Sequence, residues 1–233
     1  MGEEQDAQRR GGSEGEHDRI AQAYAGYREN RRKRRAWSPD NPGNVAIREE
    51  LVAAMLEVAG EEIAGHGALL DVGCGTGWWL ERLLREGVAA ERLIGVELLA
   101  DRARAAAARA PGARVEWGDA GQLPVPDASC SLVTLFTVLS SMGSASEAAA
   151  ALREARRVLA PGGAVAVWEP RWPTFNRNTR LVRLSQLRSA LGPGLTMRTL
   201  TLAPPLARRV GGLYAPLARL RPLRSHRLAL ARR

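Results

Sequence analysis

Apolar positions along the chain switch between two periods. From Asp18 they recur at three- and four-residue steps, so Ile20, Ala21, Tyr24 and Tyr27 share one helical face that Asp18 is placed to cap. Val45, Leu51, Met55 and Val58 repeat that spacing from Asn44 to about Ala59, and Gly60 is expected to end the helix. Beyond Gly67, short apolar runs alternate with helical stretches. Strands are predicted over Ala68–Val72, Arg92–Glu97, Arg114–Trp117, Ser131–Phe136 and Ala164–Trp168, with helices over Gly77–Arg85, Ala100–Arg109 and Ala145–Leu159 between them. In the last third the pattern predicts a helix over Thr179–Leu191, a stop at Gly192-Pro193-Gly194 and a strand over Thr196–Leu202. A helical piece after Pro204-Pro205 and an apolar–polar alternation through His226–Leu230 follow. Strands separated by helices predict an α/β fold with a doubly wound, mostly parallel sheet that holds its ligand at the carboxyl ends of the strands.

Composition narrows the class. A chain of 233 residues with 45% apolar residues is expected to bury one α/β core. No apolar run approaches the roughly 20 residues that span a bilayer. The acidic opening Met1-Gly2-Glu3-Glu4-Gln5-Asp6 is unlike a signal peptide. Cys74 and Cys130, the two cysteines, lie far from any C-x-x-C or histidine-rich context, which predicts free thiols, a reducing cytoplasmic setting and no metal site. Residues 1–17 are polar and glycine-rich and are expected to be disordered. One domain over 18–233 is expected: a helical lid (18–66), a ligand-binding core (67–170) and an arginine-rich part (171–233) that completes the sheet and the substrate side. The net charge of +9 is unevenly spread, since residues 171–233 carry 14 arginines and no acid.

The chemistry gathers at strand ends. Leu69-Leu70-Asp71-Val72 feeds the turn Gly73-Cys74-Gly75-Thr76-Gly77, where glycine lets the backbone turn and a ligand approach. A dinucleotide fingerprint wants G-x-G-x-x-G, whereas here the glycines alternate as G-x-G-x-G behind an aspartate. Glu97 closes the second strand 20 residues beyond Gly77, where an acid can hold a ribose diol. Asp119-Ala120 follows the third strand, and Phe136-Thr137-Val138-Leu139 leaves the fourth.

This set, with the turn Arg157-Val158-Leu159-Ala160-Pro161-Gly162-Gly163 before the fifth strand, resembles the class I S-adenosylmethionine (SAM) dependent methyltransferases, in particular the type 11 group related to the quinone C-methyltransferases. The resemblance covers roughly Ala68–Trp168. It implies a Rossmann-like seven-stranded sheet with one antiparallel late strand, SAM as methyl donor, S-adenosylhomocysteine (SAH) as product, and transfer to a small molecule. Carried over, it places Gly73, Cys74, Gly75 and Gly77 at the methionine end, with Asp71 orienting the turn. Glu97 and Leu98 fall at the ribose, Asp119 and Ala120 at the adenine edge, and Phe136 near the reacting methyl. Where the family usually reads Phe-Asp at the start of the fourth strand, this chain has Cys130-Ser131.

A base is needed only if the acceptor must lose a proton. Glu169, in Trp168-Glu169-Pro170-Arg171-Trp172, is the expected candidate, as base or as a hydrogen-bond partner of the substrate. Tyr24, Tyr27 and Trp37 are expected in an apolar lid or in the core, and Thr137, Arg171 and Asn176 on the substrate side. Arginine forks at Arg171, Arg177, Arg180 and Arg183 suit an anionic or lipid-linked metabolite. The basic, apolar stretch Leu213–Leu230 alternatively suits contact with an anionic membrane surface. The tail offers few aromatics for stacking, so nucleic acid ranks last. A SAM-binding regulator and a nicotinamide-dependent oxidoreductase are the competing readings.

Overall fold

A computed structural model describes residues 15, 17–26, 30–36, 38–173, 176, 178–192 and 194–233. The expected disorder of 1–17 falls almost wholly outside these residues, as do Tyr27, Trp37, Phe175 and Arg177. Helix α1 spans residues 17–26, and α2 (Arg31–Ala36) takes up the basic run. Helix α3 (Pro42–Ala64) starts at Asn41, whose side chain accepts from the Gly43 N–H, with proline at the first helical position. It passes through Gly60 instead of stopping there, kinked at Ala59. The extension has a cause in packing: Ile63 is buried, and the buried Glu62 accepts from Arg232 at 2.9 Å.

The alternating part follows as β1 (Ala68–Val72), α4 (Trp78–Arg85), β2 (Leu93–Glu97), α5 (Ala100–Arg109), β3 (Arg114–Trp117), β4 (Cys130–Phe136), α6 (Ala145–Val158) and β5 (Leu159–Pro170). Helix α6 opens with a reciprocal cap between Ser144 and Glu147. The chain ends with α7 (Leu184–Leu191), β6 (Thr196–Leu202), α8 (Pro204–Val210), α9 (Tyr214–Ala218) and β7 (Arg224–Arg232). Helix α7 begins later than the pattern predicts. Arg180 donates its N–H to the Ser140 carbonyl at 2.7 Å, so the segment before Leu184 lies against the loop after β4.

The seven strands run in the order β3-β2-β1-β4-β5-β7-β6. β7 alone is antiparallel to both its neighbours, β5 and β6, and the other pairs are parallel, as expected for a sheet with one antiparallel late strand. Successive residues of a strand serve opposite layers. Leu70, Val133 and Val165 pack toward α6 and α7, while Leu69, Leu132 and Ala164 pack toward α3, α4 and α5. Burial on both faces is why these strands read as continuous apolar runs. The order reverses between β1 and β4, where two crossovers leave in opposite directions and open a crevice at the strand ends.

Candidate functional site

The crevice is a cavity of about 1730 Å³ with walls from α1, α3, the four strand ends at β1, β2, β4 and β5, α8 and β7. The glycine turn forms its floor. Gly73, Gly75 and Gly77 have φ of 66°, 61° and 80°, which only glycine takes without strain. Their lack of side chains also serves packing: a Cβ on Gly73 would lie 2.6 Å from Val138, and one on Gly77 2.8 Å from the Ala106 backbone. The Gly73 and Cys74 N–H groups donate to the Val96 carbonyl, tying the turn to β2. Cys74 is buried, with burial pushing its thiol well up, so it lines the floor as an inert group.

Glu97 sits beside the turn. Its Oε2 accepts the Gly75 N–H at 2.8 Å and its Oε1 the Leu99 N–H at 3.1 Å, so one carboxylate fixes both the turn and the loop after β2. Each oxygen keeps a further lone pair, and the residue lines the cavity. Arg102 approaches Glu97 at 3.7 Å and lies over the Tyr24 ring, 3.9 Å from its centre. Asp119 accepts the Gly121 N–H at 2.6 Å, shaping a tight turn on the same wall. Leu98, Asp119, Ala120, Phe136, Thr137, Tyr24 and Asn176 all line the cavity with Gly73, Cys74, Gly75 and Glu97. Sequence-predicted residues from six separate segments thus meet in one place.

Four others do not line it. Asp71 lies behind the turn, buried, where Thr134 donates to its Oδ1 at 2.7 Å across β1 and β4. Burial pushes Asp71 up to about 7, against the lowering effect of that hydrogen bond. Gly77 begins α4 and packs on α5. Arg171 stacks on Trp172, 4.5 Å from the ring centre, and accepts from Arg227 through its carbonyl. Glu169 is fully buried and accepts the Leu139 N–H at 2.7 Å and the Ser140 N–H at 3.3 Å. Burial raises it to about 7, and among the described residues its Oε2 has no hydrogen-bond partner. It therefore braces the loop in which Thr137 adopts a φ of 59°, a conformation costly for a β-branched residue. Ser131 donates to the Ala68 carbonyl, at the end of β1 away from the glycine turn, so Thr134 takes the bracing place beside Asp71.

The opposite wall was not legible as a site. Trp78, Phe136, Trp168 and His226 form an aromatic series, with ring centres 6.2 Å, 6.4 Å and 4.5 Å apart in turn. Asn44, Arg48, Pro204, Pro205, Arg208 and Ser225 complete that side. The β6–β7 ladder skips Thr201 and Ser225, where Thr201 takes a φ of 71°. Glu50 stabilises the break by accepting the Thr201 N–H at 2.7 Å and the Tyr214 hydroxyl at 2.6 Å. Ser225 donates to the Thr201 carbonyl at 3.2 Å and stands 2.8 Å from His226 Nδ1. In the tautomer in which the serine proton goes to the Thr201 carbonyl, Nδ1 carries the imidazole proton and Nε2 is the acceptor. Burial and the nearby Arg208 push His226 down to about 4, so the ring is neutral at neutral pH. The signal available in sequence, an isolated histidine near a strand end, was too slight to mark it.

Comparison with known proteins bears on the donor side. Residues 70–167 match the family model described as a methyltransferase domain. A probable S-adenosylmethionine-dependent methyltransferase of Mycolicibacterium smegmatis is 34% identical over 110 residues, 46% of this chain and 40% of that protein. An uncharacterised 37.1 kDa protein of a Streptomyces fradiae transposon is 37% identical over 109 residues, 46% of this chain and 31% of its own. The chain thus spans well under half the length of these curated relatives. Among solved structures, geranyl diphosphate C-methyltransferase from Streptomyces coelicolor, in complex with Mg²⁺, geranyl diphosphate and SAH, superposes with a TM-score of 0.59 at 18% identity, over 79% of this chain and 78% of that one. The cyclase SpnF gives 0.57 at 22% identity, over 79% and 80%. These likenesses are likenesses of fold, and a cyclase among them shows that the fold alone does not name a reaction.

Proposed function

We propose that this chain, whose residues 70–167 form a methyltransferase domain of the class I SAM-dependent kind, transfers the methyl group of SAM to a small molecule held in the same cavity. One observation carries the reading. The glycine turn, Glu97 and Asp119, from three different strand ends, face a single cavity that continues to an aromatic wall large enough for a second substrate. The donor fits this site by the chemistry of its walls. Glu97 has lone pairs for a ribose diol, Asp119 and Ala120 offer an edge for adenine, and the backbone of Gly73–Thr76 is open to the methionine end.

When bound, SAM supplies a methyl group already activated by its positive sulfur. The chain's own task is then to align two reactants and keep water out, and orientation alone is worth roughly 7–11 kcal/mol of barrier. Phe136 at the end of β4 and Thr137 at the start of the loop braced by Glu169 line the cavity where the glycine-turn side meets the aromatic wall. In this reading Glu169 is a positioning residue, and Nε2 of His226 is the atom available to take a proton from an acceptor hydroxyl or amine. Incubation with methyl-labelled SAM and a metabolite extract should transfer label to a small molecule. Glu97→Ala should weaken SAM binding about 10- to 100-fold, the loss of hydrogen bonds to a charged acceptor. SAM binding by the native chain with no labelled product would favour the regulator or cyclase-like reading instead.

A second surface supports contact with an anionic membrane. Leu213 and Leu220 are 61% and 52% exposed, and Arg209, Arg219 and Arg221 are exposed around them. Among the described residues no helix is long and apolar enough to cross a membrane, so the contact would be peripheral. Flotation with phosphatidylserine vesicles should capture the protein at low salt and release it at high salt. No capture at low salt would remove this reading.

A further inference from the structure

The aromatic wall carries two arginines that the donor chemistry does not use. Arg48 lies on α3, half-buried, with its guanidinium 5.5 Å from the centre of the Trp78 ring. Among the described residues it makes no hydrogen bond and no ion pair, and Arg109, Asp40 and Glu81 act on it only from a distance. Arg208 enters from α8, and its Nε donates to Asn44 Oδ1 at 2.9 Å. Asn44 is held in turn, since its Nδ2 donates to the carbonyls of Ala36 and Ser38 at 2.8 Å each. Asn44 and Arg48 are four residues apart on one helix and so lie on one face. Both arginines therefore stand within about one helical turn of Asn44, and both line the cavity beside Trp168 and His226.

The placement has an energetic meaning. Burial lowers the pKa of both guanidinium groups, so each gives up hydration. An anion reached by both guanidinium groups would gain charge-assisted bonds at this wall. Helices α3 and α8 are also locked at this point: a Cβ on Gly43 would lie 2.3 Å from the Ala207 carbonyl oxygen. The helices that carry the two arginines are thus fixed against each other by packing.

Resting on the methyltransferase reading above, we propose that Arg48 and Arg208, spaced by Asn44, form an anion subsite for the methyl acceptor, which is a flat or apolar acid carrying a carboxylate or phosphate. Its ring or chain lies along Trp78, Phe136 and Trp168, and its anionic group points to the α3–α8 corner. Anion binding would also relieve the charge that Arg208 exerts on His226, making the imidazole a better proton acceptor once the substrate is in place.

The test is calorimetry on the full chain, with and without SAH, using 1-naphthoate, 1-naphthyl phosphate and the neutral 1-naphthamide as probes. The expected result is at least tenfold tighter binding of one or both anions than of the amide, and the tighter anion tells carboxylate from phosphate. That preference should fall below threefold in Arg48→Gln and in Arg208→Gln, and Arg48→Lys should keep most of it. SAH affinity that stays within threefold of native in these variants certifies their fold. Equal binding of amide and anions, or a preference that survives both glutamine variants, overturns the subsite. So does Arg48→Gln that loses SAH tenfold while keeping the anion preference, which would assign that arginine to the carboxylate of the donor. Failure of the native chain to bind SAH, with the anion preference intact, would instead overturn the methyltransferase reading and leave the subsite standing.

Discussion

Asp71 and Glu169 are carboxyl groups that burial holds near neutrality, and neither faces the cavity. Each braces the fold from behind the cavity: Asp71 ties β1 to β4 through Thr134, and Glu169 holds the loop after β4 through the Leu139 and Ser140 amides. Both fold with a pKa raised to about 7 from 3.8 and 4.5, so between about pH 4 and 7 the folded chain holds protons that the unfolded chain has released. Their contribution to stability therefore falls as pH rises through that window and is flat above it. His226, lowered to about 4 from 6.5, acts in the opposite sense over roughly pH 4 to 6.5 and partly masks the trend. The two effects separate in Asp71→Asn, which keeps the acceptor for Thr134 and removes one titration. Its melting temperature relative to the native chain should rise between pH 5 and 7.5, by an amount corresponding to about 1.4 kcal/mol per unit of pKa shift removed. Parallel melting curves across that range would show that Asp71 is ionised in the fold. At this scale the residues that line the cavity on the glycine-turn side were legible because motif spacing ties each to a strand end. Asp71 could not be told from a cavity residue, because one position along a strand separates facing a ligand from facing the neighbouring strand.

Helix α3 shows why elements are read less surely than motifs. Gly60 has the local signature of a stop, and propensity alone disfavours glycine in a helix by about 1 kcal/mol. Burial of Ile63 and the Glu62–Arg232 pair carries the helix four residues further, an effect visible only once β7 lies beside it. The central strands β1, β4 and the second half of β5 posed less difficulty because they are buried on both faces and read as near-continuous apolar runs. The arginine-rich tail divides for the same reason. Arg224 donates to the Ala218 and Thr199 carbonyls, Arg198 pairs with Glu57, and Arg232 with Glu62, so much of its charge joins elements together. Two glycines in α3 give opposite expectations. Gly43→Ala places a methyl 2.3 Å from a backbone oxygen of α8 that no rotamer change can move, so it should cost about 1–3 kcal/mol. Gly60→Ala meets nothing within 4 Å and should stabilise by about 0.4–1 kcal/mol. Urea unfolding of both variants checks the pair. A neutral Gly43→Ala would mean that the α3–α8 corner is looser than this geometry, weakening the case for a fixed Arg48–Arg208 pair as well.

At the scale of the whole molecule, the cavity joins parts that lie far apart in sequence. Its walls come from the N-terminal helices, four parallel strand ends, and α8 with β7 from the last third of the chain. The family match stops at residue 167, so the donor half lies inside it and much of the aromatic and arginine wall lies outside. That division is why the proposed donor side was legible and the proposed acceptor side was not: the former carries a recurrent motif, whereas Arg48, Arg208 and His226 converge only through tertiary packing. It also makes a global prediction. A ligand bridging the glycine turn and the lid binds the folded state alone, and at a hundredfold excess over its Kd contributes about 2.7 kcal/mol. For a chain of 233 residues that corresponds to a rise in melting temperature of about 5–11 °C with SAH. NADH at the same concentration should give none, since the G-x-G-x-G turn lacks the spacing of a dinucleotide fingerprint. Differential scanning calorimetry with the two ligands decides it. A shift with NADH and none with SAH would turn the glycine turn back into a generic nucleotide loop and remove the premise of the methyl-transfer reading.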